Sequence, residues 1–252
     1  MKRNGRVITV IIPSLDEAAE IASAIGAVRS RVDEVIVVDG GSADDTVAIA
    51  RAAGARVRVA PGASRATALN VGAAIARGDV YYFVHADCRP PPTFVEDIRA
   101  AIRAGAGGGC FRLRFDSDHW LLRISGWLSR IDVALFRFGD QSLFVRRDVF
   151  RAAHGFDERL RVMEDQDLVR RLRRRTRFVL LRRSVTASAR QYRSTGVYRT
   201  QLVIYPTMVV LYRLGTPQPV LTQVYDRLRG LREPARANPS IRNDGCVPDP
   251  NM

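Results

Sequence analysis

Two short β-branched runs, residues 7–12 (VITVII) and 34–38 (EVIVV), each stop at a turn-forming sequence. Between them, Ala18, Ile21, Ala22, Ile25 and Val28 recur at helical spacing. Near-continuous apolar runs of this length suit strands buried on both faces, which occur in parallel sheets. Two such strands joined by one amphipathic helix form a βαβ unit, and the crossover that packs the helix back onto the sheet is right-handed. This pattern constrains the chain more than any other feature it carries.

The alternation continues. Residues 44–53 read as helix, 56–59 as strand, 64–76 as an Ala-rich helix and 80–84 as strand, which predicts an α/β fold with a mainly parallel Rossmann-type sheet flanked by helices. After Pro90-Pro91-Pro92 the order changes: helix at 93–104, strand at 110–115, a long helical stretch at 119–136, strand at 142–145, helix at 164–174 and strand near 178–181. Residues 196–231 read as two C-terminal helices separated by Gly215-Thr216-Pro217. The expected organisation is a domain over 1–195, a helical appendage over 196–232, and a tail over 233–252 whose Pro, Asn and Asp content reads as disordered.

Forty Lys and Arg against 26 Asp and Glu give a net charge of +14. All the basic residues except Lys2 are arginine, the side chain best shaped for phosphate and carboxylate. They are scattered and not gathered into an arm, and no aromatic stacking motif lies among them. A nucleic-acid-binding protein is therefore the weaker reading of the charge. Cys88, Cys110 and Cys246 are widely spaced and odd in number, which fits neither a disulfide framework nor a metal knuckle. With a polar N-terminus running straight into a strand, the expectation is a cytoplasmic protein without a signal peptide. The apolar stretch 202–211 is short of the ~20 residues that span a bilayer. Bracketed by Arg199 and Arg213, the segment 197–214 suits peripheral contact with the inner face of a membrane, or packing on the domain.

In a parallel sheet, ligands bind beyond the carboxyl ends of the strands. The chemistry-bearing residues stand there: Pro13-Ser14-Leu15-Asp16-Glu17 after the first strand, Asp39-Gly40-Gly41-Ser42 after the second and His85-Ala86-Asp87 after the fourth. Asp39 suits the base or ribose of a nucleotide, and the two glycines allow close backbone approach. As a bare motif the same turn needs no ligand, with Ser42 or Asp44 serving as a helix cap. Asp87 is a hard oxygen ligand of the kind a divalent cation on a diphosphate requires. Arg65 and Asn70 begin beside the same edge. The first turn lacks Gly-x-Gly-x-x-Gly, which removes the main support for a dinucleotide oxidoreductase.

Together, and over roughly residues 7–199, these segments resemble the family-2 glycosyltransferases of the GT-A fold. Pro13, Ser14 and Glu17 fall on the opening strand and its acidic turn, Asp39 to Ser42 on the nucleotide-binding turn, Asn70 on the helix that follows, and His85-Ala86-Asp87 on the Asp-x-Asp metal motif with His85 in place of the first Asp. Gly139-Asp140-Gln141 resembles the acceptor-side strand. Met163-Glu164-Asp165-Gln166-Asp167 resembles the segment supplying the base, and Gln191 and Arg193 resemble a diphosphate-binding region that lacks its usual Trp. The set is most similar to a small bacterial subgroup labelled arsenosugar-biosynthesis glycosyltransferases.

The resemblance implies inverting transfer from a nucleotide diphosphate sugar, a UDP-sugar above all, to the hydroxyl of a small-molecule or lipid acceptor. Asp87 would hold Mg²⁺ or Mn²⁺ against the leaving diphosphate, with Arg65 or Arg193 adding positive charge. Asp165, beside Glu164 in a helix's first turn, would take the acceptor's proton; Asp140 is the next candidate. A nucleotidyltransferase on a similar sheet is the reading from another class, as it would release pyrophosphate in place of a nucleoside diphosphate. A carotenoid or lipid glycosyltransferase at the membrane surface is the variant within the same class.

Overall fold

A computed structural model of the chain describes residues 6–131, 141–190, 192 and 195–230. Eight strands form one sheet in the order β3-β2-β1-β4-β7-β6-β8-β5. The first half is the predicted parallel unit: β1 (Ile8–Ser14), β2 (Glu34–Asp39), β3 (Arg56–Val59) and β4 (Val80–Phe83), linked by α1 (Ile21–Arg29), α2 (Thr46–Ala52) and α3 (Arg65–Ile75). Val10, Ile11, Ile12, Ile36, Val37 and Val38 are wholly buried, because helices cover both faces of these strands. Gly72 lets α3 press on β1; a Cβ there would lie 2.4 Å from Ile11 Cγ2.

The second half is mixed. β5 is the two-residue strand Cys88–Arg89, followed by α4 (Phe94–Arg103), β6 (Gly108–Phe115), α5 (Trp120–Leu128), β7 (Leu143–Arg146), α6 (Arg147–Ala152), α7 (Glu164–Arg173) and β8 (Phe178–Ala187). β7 runs antiparallel to β4 and β6, and β8 pairs parallel to β6 and antiparallel to β5. "Mainly parallel" thus describes the first four strands, and the sheet as a whole is mixed. β6 begins inside the glycine run because Gly109 lies where a Cβ would meet Val179 O at 2.3 Å, so only glycine fits between β7 and β8.

Other boundaries also shift for local reasons. The first helix begins at Ile21, leaving Ala18 outside it, because Asp16 takes a positive φ of 52° and the N–H groups of Asp16 and Ala18 bond across to the next loop. The helix expected at 119–136 is described only as α5, its remainder lying outside the described residues. Two C-terminal helices, α8 (Tyr205–Arg213) and α9 (Gln218–Arg229), pack through Ile204, Met208 and Leu221. A wide π-type turn at Arg199–Ile204 precedes Pro206, which therefore starts α8 and does not kink its middle. The tail at 233–252 lies outside the described residues.

Candidate active site

The carboxyl ends of β1, β2 and β4 bring the three sequence motifs to one edge. The first two loops are stitched together: Asp16 N–H donates to Ser42 Oγ at 2.9 Å, Ala43 N–H to Asp16 Oδ1 at 2.8 Å and Glu17 N–H to Thr46 Oγ1 at 2.8 Å. Asp39 is the keystone of this corner and is wholly buried. Gly41 and Ser42 N–H donate to its Oδ1 at 3.0 and 2.8 Å, while the Ser14 and Ser42 hydroxyls reach Oδ2. Burial alone would raise its pKa, but these four donors outweigh it and hold the carboxyl below its ordinary value. Gly41, at φ 101°, gives the turn a conformation that L side chains rarely adopt. Asp39 therefore shapes the loop with both its oxygens; Gly40 and Ser42 belong to that loop, and Pro13 lies in β1 opposite Val38.

Glu17 faces the His85-Ala86-Asp87 motif that follows β4. Arg190 donates to its Oε2 at 2.6 Å, yet burial, with help from the charges of Asp87 and Glu20, raises the Glu17 pKa. Arg89 pairs with Glu20 at 2.6 Å and donates to Ala86 O at 3.0 Å, which fixes the turn carrying Asp87. His85 is driven down to about 4 by burial first and then by the Arg65 charge, against the pull of Asp87, so its imidazole is neutral near pH 7. A neutral imidazole and a carboxylate two residues apart form a donor pair that fits a divalent cation whose other ligands are phosphate oxygens. Among the described residues no cluster of three or more His, Cys, Asp or Glu could by itself hold a metal ion.

Arg65 links this edge to the start of α7. Its guanidinium pairs with Glu164 and lies 3.5 Å from Asp165 Oδ2. Met163, at φ 68°, turns the chain so that both acids leave the helix start toward Arg65. The Glu164 side chain is 1% exposed and that of Asp165 15%. Both carboxyls have raised pKa values, burial outweighing Arg65 in each case. The helix terminus alone was expected to favour the ionised form; desolvation prevails over it. Asp167, grouped with them in sequence, faces away and binds Arg170, Arg171 and Tyr212.

Two of the predicted site residues are tied into the fold. Both amide hydrogens of Asn70 are spent on the 155–158 loop, donating to Phe156 O at 2.9 Å and Glu158 Oε1 at 2.8 Å, while Phe156 N–H donates to its Oδ1 at 2.9 Å. These bonds make it a tether of that loop, a role that single-sequence spacing does not signal. Gln141 is buried and accepts from Cys110 Sγ at 3.4 Å. Gly139, Asp140, Gln191 and Arg193 lie outside the described residues. The contact from Arg65 to α7 and that from Arg190 to Glu17 carried no signal in the sequence, since each joins segments distant in the chain.

A glucosyl-3-phosphoglycerate synthase of Mycolicibacterium paratuberculosis is 39% identical over 118 residues, 41% of this chain but only 35% of that protein's length. The crystal structure of glucosyl-3-phosphoglycerate synthase from Mycobacterium tuberculosis in complex with Mn²⁺, UDP-glucose and phosphoglyceric acid superposes with a TM-score of 0.60 at 23% identity, covering 84% of this chain and 81% of that one. A mannosyltransferase from Pyrobaculum calidifontis in complex with GDP-Man and Mn²⁺ gives 0.63 at 15% identity, covering 89% and 70%. These likenesses establish a shared fold. The description "Glycosyl transferase family 2" matches residues 9–154, more than half the chain, and the chain belongs to that family.

Proposed function

We propose that the protein transfers a sugar, with inversion, from a UDP-sugar to an acceptor hydroxyl, assisted by Mg²⁺ or Mn²⁺. The observation that carries this is the convergence on one arginine of two pairs of groups with different tasks: His85 and Asp87 at the sheet edge, Glu164 and Asp165 at the start of α7, and Arg65 between them. A divalent ion held at Asp87 with His85 would act as Lewis acid toward the leaving diphosphate. Arg65 places a further positive charge beside it. Asp165, partly exposed where Glu164 is sealed, takes the acceptor's proton, and Glu164 fixes Arg65. Among the described residues one base faces the site and no nucleophile stands opposite it, which favours direct displacement. The relatives named above, with UDP-glucose or GDP-Man and Mn²⁺ in their complexes, support the donor and cation classes.

The arsenosugar-type subgroup stays part of this reading on the strength of His85-Ala86-Asp87 and the 139–141 sequence. No helix among the described residues is long and apolar enough to cross a membrane. A cytoplasmic enzyme with peripheral, salt-sensitive lipid contact through the 197–214 segment is supported by Leu202, Val203 and Val210, which are 59%, 45% and 55% exposed. The test is a panel of UDP- and GDP-sugars read out as nucleoside diphosphate release. Release from no donor, or release that a chelator leaves unchanged, overturns the proposal.

A further inference from the structure

Between α5 and the arm formed by the 199–204 turn and α8 lies a cavity of about 320 Å³. Its walls are apolar, with Leu121, Leu128, Leu202 and Val209, and its polar lining includes Gln141 and Gln201. That volume is about twice the ~150 Å³ of an engineered apolar cavity that takes up benzene, so it accommodates roughly ten carbons. Gln141 connects it to the reaction edge. β7 enters antiparallel to β4 with Leu143 opposite Phe83, so Gln141, two residues before Leu143, lies at the carboxyl end of β4, the edge from which His85 follows. The cavity therefore reaches the edge of the sheet that carries His85-Ala86-Asp87.

On the other side of α5 a second groove, of about 530 Å³, is lined by Arg114, Arg123 and Arg130 with Trp120 and Trp127, and among the described residues no carboxylate lines it. Both tryptophans are more than half exposed. Indole rings between arginines suit the headgroup layer of an anionic lipid surface, where one end of the side chain is wet and the other apolar. The two grooves share Leu113 and Ile124.

We infer that the acceptor is an amphiphile whose hydroxyl end lies beside Gln141 and whose hydrocarbon portion occupies the cavity between α5 and α8. The inference rests on the transferase reading and adds the acceptor class to it. A wholly polar acceptor would leave the apolar walls in water and gain nothing from them, whereas an alkyl chain removes them from water without asking for hydrogen bonds. The arginine and tryptophan groove on the neighbouring face is where such a molecule would be drawn from a bilayer.

The probes are N-phenyl-1-naphthylamine, an uncharged dye that fluoresces in apolar pockets, and 1-decanol as its competitor. The dye should bind at one saturable site and be displaced by 1-decanol. Ser125→Phe, which fills the cavity, and Leu202→Glu, at its exposed rim, should each weaken dye binding at least tenfold while UDP affinity in Mn²⁺ stays within twofold. Across the donor panel, 1-decanol should accelerate nucleoside diphosphate release at least tenfold more than glycerol does. Dye binding that is absent, or unchanged in both variants, overturns the inference, as does release that glycerol stimulates equally. Loss of UDP binding by the unaltered protein with dye binding intact would instead strike the donor reading, so the two failures are separable.

Discussion

Arg65, the first residue of α3, pairs with Glu164, the first residue of α7 and 99 positions further along the chain. The contact joins the parallel half of the sheet, which carries Asp39 and Asp87, to the later segment that carries Asp165. It also sets the charge balance of the site. His85 is kept neutral partly by Arg65, and the two acids of α7 are held below what their burial alone would give.

Replacing Arg65 with Met should therefore move the pH dependence of transfer. Burial raises the Asp165 pKa and Arg65 opposes that rise, so without the guanidinium the pKa goes higher still. A base works only when ionised, and the acid limb of the kcat profile should shift to higher pH. Glu164 would lose its cation while 1% exposed. Since Arg65 is itself 44% exposed, solvent screens the pair, and the stability loss should be about 1–2 kcal/mol, below that of a fully buried pair. An acid limb that stays in place in a folded variant would remove Arg65 from this role.

Asp165→Asn should keep UDP binding and lower the transfer rate by a factor of about 10² or more, the scale for losing a positioned base. The amide has the same shape and cannot accept the proton. Stopped-flow or steady-state rates with donor affinity measured alongside will decide it. Lost donor binding with an intact rate would make Asp165 structural and return attention to Asp140.

The parallel half of the fold was legible because β1, β2 and β4 are near-continuous apolar runs punctuated by Pro13, Gly40 and Asp87, and each helix between the strands is locally complete. The site's inventory was legible for the same reason, since strand ends are where sequence order and spatial position coincide. What could not be read were pairings between distant segments. Gly109 at the start of β6, the antiparallel entry of β7 and the tie from Asn70 to Phe156 depend on which backbone arrives opposite. Asp165 shows the energetic counterpart: helix position argues for a low pKa, and only the fold reveals the burial that raises it.

Asp87→Ala should abolish metal-dependent UDP binding while leaving the thermal midpoint within a few degrees. The carboxylate stands at the ligand edge and the core beneath it is built by Val84, Ala86 and Cys88. Because His85 supplies an imidazole where a second carboxylate is usual in the family, Mn²⁺ should support transfer at least as well as Mg²⁺. Isothermal titration of UDP with each ion checks both statements. Undiminished binding by the variant would move the cation elsewhere, and clear superiority of Mg²⁺ would deny His85 a place beside it.

Asn70 separates a structural role from a ligand role. Its side chain makes three hydrogen bonds to the 156–158 segment, and Gly155, at φ 65°, brings that backbone so close that a Cβ there would lie 2.7 Å from Asn70 Oδ1. Asn70→Ala removes all three bonds, and at about 0.5–1.5 kcal/mol each, discounted for the exposed one to Glu158, the loss should be roughly 1–3 kcal/mol. For a chain of this size that lowers the melting temperature by several degrees. Asn70→Asp keeps the acceptor for Phe156 N–H but sets a carboxylate against Glu158, so it should destabilise at neutral pH and recover as the pH falls through the carboxylate range. UDP affinity should remain within about twofold in both variants, because the amide's donors already point into the loop. A tenfold loss of UDP affinity with the melting temperature unchanged would reverse the assignment and make Asn70 part of the nucleotide site.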